Sequence, residues 1–282
     1  MQGRLDRAGM GGVMVATTLV GIFGGSGLYQ LLDDAREVVV DTPFGPPSDS
    51  LWIGDVAGRQ VAFMPRHGRG HTIPPHRINY RANLYAMQEV GATRILGPCA
   101  VGSLQPALAP GDVVIADQFV DRTWGRPDTF WEGPVVNHLS AADPYCPELG
   151  RLASEASRGQ GARVHQGQTM VVVQGPRFSS RAESRWYRSQ GWGIIGMTGY
   201  PEVVLARELG LCYASVAVVT DYDSGLEGSP NILPVSHEEV LRVFAANVDR
   251  LRALLLALVA SLPDSPGCEC RRSRLAPEAG PA

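Results

Sequence analysis

Two carboxylates stand one residue apart where an apolar run stops, in VVTDYDSG with Asp221 and Asp223. In an extended strand successive side chains alternate faces, so both acids point the same way and can accept from two neighbouring donors on one ligand. Asp is also favoured as a solvated residue where strands end, and the pair alone does not choose between these readings. A second dense stretch is Pro65-Arg66-His67-Gly68-Arg69-Gly70-His71. Guanidinium gives phosphate a two-pronged contact and imidazole a further donor, so Arg66 and His67 suit an anion; a solvated basic loop is the competing reading. Gly24-Gly25-Ser26-Gly27 is a flexible turn able to aim N–H groups and the Ser26 hydroxyl at an anion. Its spacing matches neither the dinucleotide fingerprint nor the phosphate-binding P-loop, so a tight glycine turn explains it equally well. The small residues of 98–103 can bring backbone at Cys99 and Ala100 against a ligand. Thr198 precedes a helix start at Pro201, where its hydroxyl can cap the helix, face a ligand, or both.

These groups must be positioned by the elements around them. Short apolar runs predict strands over 19–23, 38–40, 51–53, 61–64, 94–97, 113–116, 170–173, 193–197 and 214–220. Helical patterns cover 80–90, 148–157, 180–190, 201–209 and 236–262. The alternation predicts an α/β fold with a largely parallel core sheet, whose ligands bind beyond the carboxyl ends of the strands. The expected organisation is a flexible extension over 1–18, one domain over 19–262, and a disordered Pro/Gly/Arg-rich tail over 263–282.

Composition narrows the chemistry. All 25 basic residues are arginine, which excludes a Schiff-base lysine, a lysine general base and a P-loop lysine. A net charge of −3 gives no bulk attraction to nucleic acid or to a membrane surface. The 251–262 apolar stretch is too short to cross a bilayer. The run VMVATTLVGIFGG continues into GGSG without a cleavage-type site, so it reads as a first strand and the protein is expected in the cytoplasm. The cysteines at 99, 146, 212, 268 and 270 are odd in number and scattered, which argues against a disulfide framework. Cys268-Glu269-Cys270 is one close pair without the second pair a zinc site needs, so no metal is expected.

The blocks GIFGGSGL (21–28), DTPFGPPSD (41–49), RHGRGHT (66–72), INYRAN (78–83), GSLQPALAPGDVVIADQFVDRT (102–123), GPRFSSRAES (175–184), MTGYPEVVLARELGLCYAS (197–215) and TDYD (220–223) together resemble the trimeric nucleoside phosphorylase family. The similarity is greatest to its methylthioadenosine phosphorylase branch and extends over about 19–262. It implies a single domain with a twisted mixed central sheet wrapped by helices, assembled as a homotrimer. The implied reaction is phosphorolysis of an N-glycosidic bond without metal or organic cofactor, inorganic phosphate being the co-substrate. By the same resemblance phosphate is held by Ser26, Arg66, His67 and Thr198 and by backbone at Cys99 and Ala100. Met197 lies beside the ribose, and Phe178 flanks the base with Ser179 nearby. Asp221 sits at purine N7 and Asp223 at the exocyclic amine. His138 reaches a neighbouring subunit's 5′ pocket, which His237 and Val240 also border.

The residue chemistry agrees with that implication. A purine leaves easily only if N7 takes a proton, and an acid at the end of an apolar strand has its pKa raised by desolvation and by a second carboxylate. The 6-oxopurine branch of the family has asparagine where this chain has Asp221 and glutamate where it has Ser179, so adenine is favoured. At the 5′ end, His237 stands where the methylthio branch has an apolar residue. It is either a solvated first-turn residue or a partner for a 5′-hydroxyl, in which case adenosine or a 5′-halogenated deoxyadenosine becomes a substrate. A non-catalytic nucleoside sensor would not need the RHGR loop and Thr198, and a purely structural trimer would not need acids at a strand end. A nucleoside hydrolase is the nearer rival, separated by phosphate dependence.

Overall fold

The computed structural model describes residues 19–25, 32, 34–134, 136–224 and 234–274. The strands are β1 (Leu19–Gly24), β2 (Arg36–Val38), β3 (Leu51–Val56), β4 (Arg59–Pro65), β5 (Ala92–Ser103), β6 (Val113–Arg122), β7 (Val164–Val173), β8 (Ile194–Gly196) and β9 (Cys212–Asp221). The helices are α1 (Tyr80–Glu89), α2 (Pro147–Gly159), α3 (Arg181–Ser189), α4 (Gly199–Glu208) and α5 (His237–Ser261). Among the described residues no helix is long and apolar enough to cross a membrane.

The sheet order is β2-β3-β4-β1-β5-β8-β7-β6-β9, and β9 pairs again with β5. It is mixed: β4, β1, β5 and β9 run parallel, while β3 with β4, β5 with β8 and β6 with β9 are antiparallel. The second pairing of β9 closes β5, β8, β7, β6 and β9 into a ring, a feature the alternation of strands and helices does not predict. All ten residues of β9 are buried, so it must be covered on both faces, which is why it reads as one continuous apolar run. Leu84, Met87, Val203 and Leu205 of α1 and α4 pack on one side. Leu149 and Ala153 of α2, with Leu251, Leu254, Leu255 and Leu258 of α5, pack on the other.

Several elements are longer than their apolar runs. β5 continues from Gly97 to Ser103 through Pro98-Cys99, where a loop is expected, because parallel pairing with β9 satisfies its backbone groups as far as Gly102. β7 begins at Val164 rather than 170, its polar half carried by bulged pairing with β6. The end of β9 departs in a more consequential way. The strand stops at Asp221, and Asp223 lies in a turn with φ of 48°. The two acids therefore do not share a strand face; the left-handed turn brings Asp223 round instead, a conformation Asp tolerates better than most residues.

The tail also differs from expectation over 263–274. Gly267 N–H donates to both Glu148 carboxylate oxygens at 3.1 and 2.9 Å, Ser273 Oγ donates to the Arg207 carbonyl at 2.8 Å, and Cys270 is buried. A polar segment is held here by specific hydrogen bonds and a cysteine anchor, neither of which composition reveals. Residues 1–18 and 275–282 lie outside the described set.

Candidate active site

A cavity of about 750 Å³ opens at the carboxyl ends of β1, β4, β5 and β9. That volume suits a ligand of nucleoside size together with a small anion. Its walls bring together Arg66, His67, Cys99, Ala100, Phe178, Ser179, Met197, Thr198, Asp221, Asp223, His237 and Val240. Two of the residues singled out from sequence are not in this set. Ser26 lies outside the described residues, although its neighbour Gly25 lines the cavity. His138 is exposed and does not line it.

At one end sits Arg66, placed by the end of β4 and fixed by its N–H donating to Gly24 O at 2.9 Å. Its side chain is 4% exposed. Nε and Nη2 donate to the two oxygens of Glu202, the latter at 3.0 Å, and Nη1 donates to Pro98 O at 3.0 Å. Burial disfavours its charge, and the Glu202 carboxylate more than offsets that, so Arg66 stays cationic. This corrects the expected geometry. The two-pronged face of Arg66 is taken by Glu202, and of five N–H donors two are left for a ligand. Glu202 is itself 1% exposed and accepts from Tyr213 Oη at 2.7 Å.

His67 is also corrected in role. Its Nδ1 lies 2.8 Å from Ile73 O, an acceptor only, so Nδ1 carries the proton. Burial pushes the imidazole down to about 4. At neutral pH His67 is thus uncharged, with Nε2 an acceptor suited to a hydroxyl of protonated phosphate rather than a donor. His71 stacks on it with ring centroids 4.2 Å apart. Thr198 is the N-cap residue of α4 yet makes no capping hydrogen bond from its side chain. Its hydroxyl is therefore not spent on the helix end, and the capping reading of Thr198 fails.

At the other end the two acids differ in environment. Asp221 Oδ2 accepts from Thr220 Oγ1 and Oδ1 accepts from Asp223 N–H, both at 2.7 Å. Burial pushes its carboxyl up to about 6, against the lowering effect of those bonds. Asp223 is 3% exposed and is likewise raised by burial. Hydrogen bonding from the Ser184 and Ser179 hydroxyls and the Ser224 N–H pulls it back down, but loosely: Asp223 Oδ2 and both hydroxyls are buried short of full hydrogen-bond geometry. Gly102 makes this pairing sterically feasible: a Cβ there would lie 3.0 Å from Asp221 Oδ1 and 3.3 Å from Asp223 Cβ. The third wall, at the start of α5, is formed by His237, Val240, Leu241 and Phe244.

Four supporting residues carry no role in the sequence reading. Glu202 lies in the 197–215 block, where nothing marks it as a partner of Arg66. Leu241 and Phe244 follow from His237 and Val240 by i+4 spacing once α5 is known to face the cavity. Arg126 carries no sequence signal: it is buried, and its guanidinium donates to Met197 O, Tyr200 O and Gln174 O at 2.9, 2.7 and 2.8 Å, holding the turn that carries Thr198.

Known proteins share this arrangement of chain. The model of the phosphorylase superfamily matches residues 19–260. A purine nucleoside phosphorylase of Streptomyces coelicolor is 59% identical over 259 residues, covering 89% of this chain and 91% of that protein. An S-methyl-5′-thioadenosine phosphorylase of Thermofilum pendens is 50% identical, covering 90% of this chain and 96% of that protein. Among solved structures, a methylthioadenosine phosphorylase from an antarctic soil metagenomic library superimposes with a TM-score of 0.84 at 39% identity, covering 92% of this chain and 91% of that one. The Schistosoma mansoni methylthioadenosine phosphorylase in complex with adenine gives 0.80 at 40% identity, covering 86% and 91%. A match that takes in every strand of the sheet, with relatives of this identity across nine-tenths of the chain, makes it a pentosyltransferase belonging to the phosphorylase superfamily.

Proposed function

We propose that the chain catalyses phosphorolysis of 5′-deoxy-5′-(methylthio)adenosine to adenine and 5-methylthioribose 1-phosphate. The observation that carries this reading is the buried Oδ2 of Asp223, approached only loosely by the Ser179 and Ser184 hydroxyls, beside a protonatable Asp221. A poorly satisfied acceptor is costly to bury, and the exocyclic amine of adenine supplies a well-placed donor, whereas a 6-oxo group would set two acceptors against each other. Asp221 then donates its proton to N7 as the N9–C1′ bond breaks. A phosphate oxygen forms the new bond to C1′, and the glycosidic electron pair leaves on the neutralised purine. Arg66 and Thr198 hold the phosphate, His67 accepts from its hydroxyl, and backbone at Cys99 and Ala100 borders it. Positioning and electrostatics supply most of the rate, and no metal or organic cofactor takes part in this scheme. Phe178 and Ser179 flank the base and Met197 the ribose.

The apolar wall of Val240, Leu241 and Phe244 favours the methylthio group. A second reading, phosphorolysis of adenosine or of a 5′-halogenated deoxyadenosine, is favoured by His237 at the same wall and by the 59% identity to a purine nucleoside phosphorylase. Release of adenine from methylthioadenosine, adenosine and a 5′-halo analogue, with inosine as control, tests both when run with and without phosphate. Adenine release without phosphate would make the chain a hydrolase, and turnover of inosine above methylthioadenosine would sink the adenine assignment. A hydrogen bond to a 5′-hydroxyl is worth about 0.5–1.5 kcal/mol net. His237→Val is accordingly expected to shift the kcat/KM ratio toward methylthioadenosine by about two- to tenfold, and an unmoved ratio would place the imidazole in solvent. His138, exposed and outside its own cavity, fits completion of a neighbouring subunit's pocket in a homotrimer, which light scattering tests directly.

A further inference from the structure

Far from the cavity, the opposite end of β9 carries a feature the reaction does not use. Cys146 at the N-cap of α2, Cys212 at the first position of β9, and Cys268 and Cys270 from the tail converge there. Their four Sγ atoms all lie within 4.8 Å of one another, with Cys212 and Cys268 at 3.3 Å. Cys146, Cys212 and Cys270 are buried. Four thiolates around one tetrahedral zinc at about 2.3 Å would stand about 3.8 Å apart, a spacing this cluster approaches without rearrangement. The second cysteine pair that the sequence lacks beside Cys268-Glu269-Cys270 is supplied by tertiary structure from two distant segments.

A further observation fits a ligand set rather than packed thiols. Leu149 N–H donates to Cys146 Sγ at 3.4 Å, the kind of outer contact that fixes the orientation of a ligating sulfur.

We propose that Cys146, Cys212, Cys268 and Cys270 form a structural site for zinc, or a similar soft divalent cation, that staples the 263–274 segment to α2 and β9. Binding releases the four thiol protons and involves no change of oxidation state. With all four positions filled by sulfur, the site has no open position for substrate, so its role is stability.

The test is metal analysis of the full chain purified under reducing conditions without chelator, with thiol counts under native and denaturing conditions. About one zinc per chain is expected, with the four thiols unreactive until denaturant and chelator are added together. Cobalt replacement should give the absorption of tetrahedral thiolate coordination. The Cys268→Ser/Cys270→Ser variant should lose at least about tenfold in zinc content and melt at lower temperature, with kcat/KM changed less than about twofold, since neither residue borders the cavity. Two results would overturn the proposal: a chain mass showing two disulfides, or four free thiols with zinc below about a tenth of an equivalent after dialysis against micromolar zinc. Both readings come from the unsubstituted chain, so they hold even where the variant fails to fold.

Discussion

Asp221→Asn is expected to lower turnover of adenine nucleosides by about 10²–10⁴-fold, because the amide can hydrogen-bond N7 but cannot deliver a proton. The same substitution should leave the protein more stable. Asp221 has its pKa raised from 3.8 to about 6 by burial, so the folded state loses stability as pH rises between those values and carries the full penalty above them. A shift of that size corresponds to a penalty on the order of 3 kcal/mol at neutral pH, and asparagine removes it. The hydrogen bonds survive the change. Thr220 Oγ1 also lies 3.2 Å from Val101 O, so it can donate there while accepting from the new amide. The pH profile gives an independent check. The protonated acid is the active form, so kcat/KM of the unsubstituted enzyme should fall as pH rises above about 6. Substrate burying the carboxyl further should move the corresponding limb of kcat to higher pH. Both limbs should be absent in the asparagine variant. Near-normal turnover in that variant, with the profile intact, would show that Asp221 is not the acid.

The second large effect concerns Arg66. Arg66→Ala should raise the phosphate KM by about 10- to 150-fold, the equivalent of one charge-assisted contact of about 1.5–3 kcal/mol. It should also destabilise the fold by about 3–5 kcal/mol, because Glu202 is left 1% exposed without its cation. Replacing both partners separates these consequences. In Arg66→Met/Glu202→Met no charge is orphaned, so thermal stability should recover while phosphate binding stays weak. An unchanged phosphate KM in Arg66→Ala would reduce Arg66 to a structural partner of Glu202.

Much of the site was legible because catalysis of this type draws on side chains with a strong chemical signature at strand ends. The alternation of apolar runs and helices, fixed by side-chain period, established the α/β class and the loops in which Arg66, His67, Thr198, Asp221 and Asp223 lie. The absence of lysine directed the anion site to arginine, histidine, hydroxyls and backbone. What a residue does once neighbours are added was decided elsewhere. Glu202 meets Arg66 from 136 residues away and takes its two-pronged face. A carbonyl at Ile73 fixes the His67 proton and turns an expected donor into an acceptor. A left-handed turn at Asp223, rather than strand alternation, brings the two acids to one cavity. The same holds for Cys146 and Cys212, 66 positions apart, which join the tail pair only because α2 and β9 begin side by side. Sequence determines which groups are available and the local geometry that nearest neighbours impose. Burial, partner and protonation state depend on contacts between distant segments, which carry no periodicity and are settled only when the chain closes on itself.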